Sequence, residues 1–277
     1  MTSLTPAIMK TLASWNERKK MTGAYEKNSW KILSWVSLVL LVILWQWAGS
    51  RQLINTSILP KPALILEKLA DMILDGSLVR YTLVSLKRVF LGYCLGGGIG
   101  LVFGFMIGLN RRLEQFINLY IGILRPIPPI AWIPFLILAL GIGELSKITV
   151  IAIGSFWPLL LNTIEGVHAA DESLLELGRV LEKDRKTVIF KIILPSAVPS
   201  VFTGARLGIS RAWSCVVTAE MIAASAGVGY LIQYARELSQ PAVMLVGVAV
   251  IGLIGLLIDS AMMAVQKRLL QWNNFRQ

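Results

Sequence analysis

The chain is 277 residues long, 55% hydrophobic and only 16% charged, with a mean hydropathy of +0.67, which excludes a soluble globular domain and asks for a bilayer. Its net charge of +11 would suit nucleic acid in a soluble protein, but most of the basic residues flank apolar runs, where they meet anionic lipid and set orientation, so no nucleic-acid partner is expected. One histidine, His168, and two cysteines, Cys94 and Cys215, exclude multi-histidine metal chemistry, offer no CxxC pair, and leave neither a metal site nor a disulfide to expect.

Residues 1–31 are polar and basic, with Lys10, Arg18, Lys19, Lys20, Lys27 and Lys31, and read as a cytoplasmic N-terminal segment. A hydrocarbon core about 30 Å thick takes roughly 20 apolar helical residues per crossing, and the first such run is 32–49, too extended for a cleaved signal and therefore a retained anchor. Residues 51–88, through Leu59-Pro60-Lys61-Pro62, form a mixed polar and amphipathic connection expected on the membrane surface. A second span covers 89–109, and its glycines at positions 92, 96, 100 and 104 recur every four residues, a spacing that lets helices approach closely.

The third apolar stretch, 116–142, is interrupted by Arg125-Pro126-Ile127-Pro128-Pro129 and by Pro134. Proline lacks the amide donor that a helix needs, so this span must be kinked or discontinuous. A fourth span covers 148–161 with an extension toward Glu165, a fifth 201–223 and a sixth 243–265. The expectation is an all-α polytopic membrane protein with six transmembrane helices: a single transmembrane domain over 32–270 and a C-terminal tail at 271–277. Putting the N-terminus inside assigns the larger share of basic residues to the cytoplasm, with both termini and the loop 168–193.

That loop is the most informative segment. Ser173 and Glu176 have capping-box spacing and open an amphipathic helix reaching about Leu181; Lys183-Asp184 offers a turn and a new N-cap; and a second helix runs from Arg185 to Ile193, where Pro195 should end it. Two short helices at a membrane face make a knob suited to a partner's groove. No stretch matches GxxxxGK[ST], so the chain has no phosphate-cradling loop of its own.

In Glu176-Leu177-Gly178, a later turn position and Ile192-Ile193-Leu194-Pro195, the loop resembles the signature of binding-protein-dependent ABC importer permeases; Glu182 stands where that family usually has glycine. Over roughly 58–270 the chain looks like the taurine, sulfonate, nitrate and bicarbonate branch. The residues that carry this are Leu59-Pro60-Lys61-Pro62, Ser85-Leu86-Lys87-Arg88-Val89, Leu124-Arg125-Pro126-Ile127-Pro128-Pro129, Phe156-Trp157-Pro158, Asn162-Thr163 and Ala219-Glu220-Met221.

The resemblance implies a type I ABC importer permease (MetI-like) fold in the bacterial inner membrane. It also implies a second copy of the chain, two ATP-binding subunits that carry ATP and magnesium, and an extracytoplasmic solute-binding protein. This chain then binds no cofactor, has no catalytic residue and imports a small anionic solute, first an aliphatic sulfonate or taurine-like compound, with nitrate, bicarbonate or a vitamin precursor as alternatives. Coupling to the ATPase falls to Glu176, Leu177, Gly178, Leu181, Glu182, Ile192, Leu194 and Pro195. The competing class is a secondary carrier driven by an ion gradient through Glu220 or Asp259.

Ionisable residues inside spans are costly and mark pathways, which singles out Arg125, Arg206, Arg211, Glu220 and Asp259. Arg125 has a structural reading as a cap on broken-helix carbonyls, and Asp259 as a partner of Lys267 or Arg268. Arg206 and Arg211 lie about 140° apart on a helix. Glu220 either neutralises one of them or lines the cavity. Arg211 is the counter-charge expected for an anion. The pathway set is Arg125, Pro128, Pro129, Trp132, Arg211, Trp213 and Glu220; Trp132, Trp157 and Trp213 also have the ordinary reading of interfacial or packing residues.

Overall fold

The computed structural model describes residues 33–270, so the expected segments 1–31 and 271–277 lie outside the described residues. The chain divides into two compact units, 1–66 and 67–277. In the first, helix α1 (Leu33–Ser50) is the anchor expected over 32–49. Pro62 opens helix α2 (Pro62–Leu74), where its missing amide costs nothing, and the Ala63 amide donates to Gln46 Oε1 at 3.1 Å, tying this start to the end of α1.

The second unit takes in α2 from Glu67 onward and then α3 (Ser77–Gly108), a single 32-residue helix. Sequence reading put this span at 89–109 and left Arg80, Lys87 and Arg88 in a surface connection. The helix instead starts at Ser77 and carries Arg88 buried in its body, because that charge is paired. Helix α4 (Arg111–Leu124) follows, its first turn capped by the Asn110 side chain, which accepts from the amides of Arg112 and Leu113 at 3.2 and 3.3 Å. After a proline-rich break come one 3-10 turn, Pro129–Trp132, and α5 (Ile133–Leu140), so that the third span is bent by 82°, the discontinuity its prolines require.

Helix α6 (Glu144–His168) is the centre of the unit and packs between α3 and α9. Beyond it lie α7 (Glu172–Val180), α8 (Arg185–Val188), a π-helical turn at Ile189–Ile193, α9 (Leu194–Ala223), α10 (Val228–Glu237) and α11 (Pro241–Leu269). Pro195 does not end the helix begun at Arg185. The wide turn lies immediately before Pro195 and accommodates a ring that donates nothing, and the rod runs on to Ala223. Among the described residues five helices are long and apolar enough to cross a membrane, the bent α4–α5 pair makes six, and there is no strand.

Lipid is as apolar as leucine, so helices in a bilayer are held by close packing rather than by exclusion from water. The glycines of α3 supply it. A Cβ added at Gly92 would stand 2.6 Å from the Cβ of Ile151, one at Gly100 2.6 Å from the Phe156 carbonyl, and one at Gly96 inside the Ala152 backbone. On the other face of α6, Cβ atoms at Gly204 and Gly166 would come within 2.7 Å of Asn162 and 2.9 Å of Ser200. Around this spine Val89, Ile151, Ala212, Trp213 and Val216 form a core shared by α3, α6 and α9.

A Gly96→Ala variant should therefore lose about 1–3 kcal/mol of stability through overpacking, whereas Gly98→Ala, two residues on with open space around it, should be neutral or slightly stabilising. Thermal unfolding of the purified chain in detergent distinguishes them, and equal melting temperatures would refute the close-packed α3–α6 seam.

Candidate coupling knob and translocation cavity

Helices α7 and α8 leave the bundle at the end where α6 stops and α9 begins. The cap of α7 is Asp171, whose side chain accepts from the Ser173 amide at 2.9 Å; the expected Ser173–Glu176 capping box is not the one used. The helix ends in a Schellman motif: the Lys183 amide donates to Gly178 O and the Glu182 amide to Arg179 O, both at 3.0 Å. This closure needs a left-handed residue after the C-cap, and Glu182 takes it with φ 47°. The position at which the resemblance leads glycine to be expected is thus one whose backbone favours glycine.

The turn folds α7 onto α8. Gly178 is buried, and a Cβ there would lie 3.3 Å from Val188 and 3.6 Å from Ile192, so a methyl would nearly fill the space and a larger side chain would not fit without displacing α8. Asp184 caps α8, and hydrogen bonds from the Thr187 hydroxyl and amide hold its carboxyl below the ordinary carboxylate range. The cap is fully present above the ordinary carboxylate pKa and is lost as pH falls through the lowered one. The knob leaves large apolar side chains uncovered among its charges: Leu177, Val180, Leu181 and Phe190 are 51 to 79% exposed. Glu176 is exposed beside them, and Ile192, Leu194 and Pro195 are half-buried at the root. Exposed apolar surface outside a bilayer marks a place where another protein sits.

A cavity of about 900 Å³ lies between the proline-rich break and helices α6 and α9. It runs from the middle of the bundle, at Gly154, Ser214 and Cys215, to the knob end at His168. Arg125, Pro128, Pro129 and Arg211 from the sequence-derived set line it together. Sequence reasoning did not select Asn162, Glu165, His168 and Ser214, which also line it; Asn162 lay in a matched segment, and lone His168 read as bland. His168 Nε2 stands 3.4 Å from Glu114 Oε2, which joins the knob ends of α6 and α4. Pro158 lies inside α6 here, and the Asn162 side-chain amide donates to its carbonyl at 2.8 Å.

The intramembrane charges sort into two groups. Arg206 holds Asp259 with both ends of its fork, Nε to Oδ1 at 2.6 Å and Nη2 to Oδ2 at 2.8 Å, so the expected partners Lys267 and Arg268 are not those used. Arg88 holds Glu220 at 2.8 Å and Glu144 at 2.6 and 2.7 Å. Glu220 therefore neutralises neither Arg206 nor Arg211, and at 1% exposure it does not line the cavity. Arg125 and Arg211 have no ion-pair partner among the described residues, and both face the cavity.

The two other pathway tryptophans are elsewhere. Trp213 is 5% exposed in the α3–α6–α9 core and donates its indole N–H to the Ile251 carbonyl at 3.1 Å. Trp132 lines an apolar groove with α3 and α4 and meets Phe135 edge to face. Trp157 is the indole that does line the cavity.

Residues 98–271 match the family described as "Binding-protein-dependent transport system inner membrane component". The chain is 36% identical over 272 residues to a Bacillus subtilis protein named for aliphatic sulfonates transport, SsuC, covering 96% of this chain and 99% of that one. It is 33% identical to the taurine transport system permease protein TauC of Escherichia coli (87% and 90% covered) and 32% identical to the nitrate import permease protein NrtB of Synechocystis (81% and 84%). Among solved structures, an inward-facing form of the MetNI methionine ABC transporter shares the fold, with a TM-score of 0.62 at 20% identity over 70% of this chain and 97% of that chain.

Because Glu182 occupies a left-handed position, Glu182→Gly should stabilise the α7–α8 turn by about 1 kcal/mol, whereas Gly178→Val should push α8 away and weaken the knob. Proteolysis of the loop 168–193 in detergent reads both: slower cutting is expected for the first and faster for the second.

Proposed function

The chain belongs to the family of binding-protein-dependent transport system inner membrane components, and from that premise we propose that it forms the path of an ATP-driven importer for a small anion. It is a membrane-spanning permease subunit of an ATP-binding-cassette importer, a multi-span protein of the inner membrane whose family works with ATP-binding subunits and a substrate-binding protein. In the proposed assembly two copies face each other across their cavities. Two ATPase subunits, carrying ATP and magnesium, sit under the two knobs on the cytoplasmic side with both termini, and the binding protein delivers solute to the opposite end.

The observation that carries the anion is the pair of unpartnered arginines. A charge in the bilayer is costly unless something answers it. Arg88 and Arg206 are answered by carboxylates within the chain, whereas Arg125 and Arg211 open onto a cavity of molecular size. A sulfonate or nitrate oxygen accepts from a guanidinium fork in the geometry that a carboxylate would use. The names of the relatives SsuC, TauC and NrtB, for aliphatic sulfonates, taurine and nitrate, point to the same charge type. An aliphatic sulfonate or taurine-like compound is the first assignment, since Trp157 offers an apolar face beside the cations.

The exposed apolar face of α7 supports the knob as the ATPase contact, with Glu176, Leu177, Gly178, Leu181, Glu182, Ile192, Leu194 and Pro195 as its residues. A carrier driven by an ion gradient is not favoured, because Glu220 and Asp259, the acids it would need free, are each held by an arginine.

In vesicles holding the full complex, Arg211→Gln should lower uptake of a radiolabelled sulfonate at least tenfold, with ATPase assembly retained; undiminished uptake would refute the anion site. Separately, Glu176→Ala with Leu194→Asp should abolish co-purification of the ATP-binding subunit, and a double variant that still retains it would remove the knob from the contact.

A further inference from the structure

Helix α10 begins without a cap of its own: the residue before it is Gly227, which has no side chain to offer. Two other helices cap it. The Val228 amide donates to the hydroxyl of Ser85 on α3 at 2.9 Å, and the Gly229 amide to Glu220 Oε2 on α9 at 2.9 Å. Ser85 in turn donates to the Glu220 carboxylate at 2.8 Å, and Arg88 donates to Glu220 Oε1 and to the Ala226 carbonyl just before the helix. With exposures of 1% for Ser85, 4% for Arg88 and 1% for Glu220, these contacts are sealed from solvent.

The arrangement is specific to this start. A carboxylate at a helix N-terminus meets the positive end of the backbone dipole. Gly227 has φ 121°, and a Cβ there would fall on the Glu220 carboxyl, so only glycine lets the loop cross over the acid. Arg88 extends the cluster to Glu144 at the start of α6, where Lys147 adds a contact at 3.3 Å. One cluster thus joins α3, α6, α9 and α10 at the end of the bundle remote from the knob.

We propose that Ser85, Arg88 and Glu220 are positioning residues for transport, keeping α10 seated on α3 and α9 so that a load on its outer face is delivered to the cavity wall. That face is exposed at Tyr234 and Leu238, while Val228, Leu231, Ile232 and Ala235 are buried against the bundle. Helix α9 carries both Glu220 under α10 and Arg211 in the cavity, and α6, with Glu144 in the cluster and Gly154 in the cavity wall, is the other element that reaches both sites. The load comes from the extracytoplasmic binding protein, so the inference rests on the importer reading.

The test uses the complete complex in vesicles, with binding protein added outside, and compares wild type with Glu220→Gln, Arg88→Lys and Ser85→Ala. Glu220→Gln keeps the shape and removes the charge, Arg88→Lys keeps the charge and removes the fork, and Ser85→Ala removes one neutral cap. Expected for Glu220→Gln is basal ATP hydrolysis per recovered complex within about twofold of wild type, together with at least a tenfold loss of uptake and of stimulation by loaded binding protein. Arg88→Lys should fall between the two. If Glu220→Gln yields no complex, Ser85→Ala decides, with a loss of stimulation expected at normal recovery. Stimulation at the wild-type ratio in any recovered variant, or uptake that falls only in proportion to recovered complex, would overturn the positioning role. Wild-type vesicles without ATP-dependent uptake would instead overturn the importer reading, and this inference with it.

Discussion

Everything in the second unit is hung on the contact of α6 with its two neighbours. A bilayer gives no hydrophobic reward for bringing one apolar helix to another, so the seam has to be made by van der Waals contact at backbone distance. Gly92, Gly96 and Gly100 bring α3 to one side of α6, and Gly204 and Gly208 bring α9 to the other. The separation of α3 from α9 follows. It is that separation which lets Ser85 and Arg88 on one helix reach Glu220 on the other, and which leaves Gly154 and Ser214 facing the same cavity.

Within that frame the arginines divide by what answers them. Burying a guanidinium costs several kcal/mol unless its donors are matched, and a bidentate carboxylate is the match that a protein can make internally. Arg88 and Arg206 have it. Arg125 is held at the proline break, where the chain turns by 82° and cannot supply a facing helix, and Arg211 points from α9 into the same space. Among the described residues neither has a carboxylate at pairing distance, Glu165 sharing the cavity wall without an ion pair to either. The arginines are thus distinguished by partnership rather than by depth.

Much of this was legible in the sequence, and the exceptions share a cause. Apolar length located the spans, proline located the break, and the four-residue glycine repeat located the seam, since each is a local property of the backbone. Arg88 was read as outside a span because hydropathy weighs a lone charge and cannot see Glu220, 132 positions away. The same blindness assigned Asp259 to Lys267 or Arg268, neighbours in sequence, instead of Arg206 on another helix. Of the pathway set, Arg125, Pro128, Pro129 and Arg211 reached the cavity. Trp132, Trp213 and Glu220 did not, because an indole or carboxylate in a span is drawn as readily into packing or pairing, and only the fold says which. Pro195 misled for a local reason: a π turn absorbs a proline that an α-helical register would not.

The rod from Arg185 to Ala223 is what makes the two ends of the unit mechanically related. It begins in the knob, beside a turn closed by Glu182 in a left-handed conformation, passes the cavity at Arg211 and ends three residues beyond Glu220. Helix α9 alone spans roughly 45 Å at 1.5 Å per residue, enough to connect one membrane face with the other. Close packing against α6 prevents it from sliding without carrying α6, and the cap supplied to α10 ties a fourth helix to the same body. Arg211 and Glu220 thus stand on one helix that is packed against α6. The π turn at Ile189–Ile193 lies within this rod between the knob and the cavity, and the helix continues through it to Ala223.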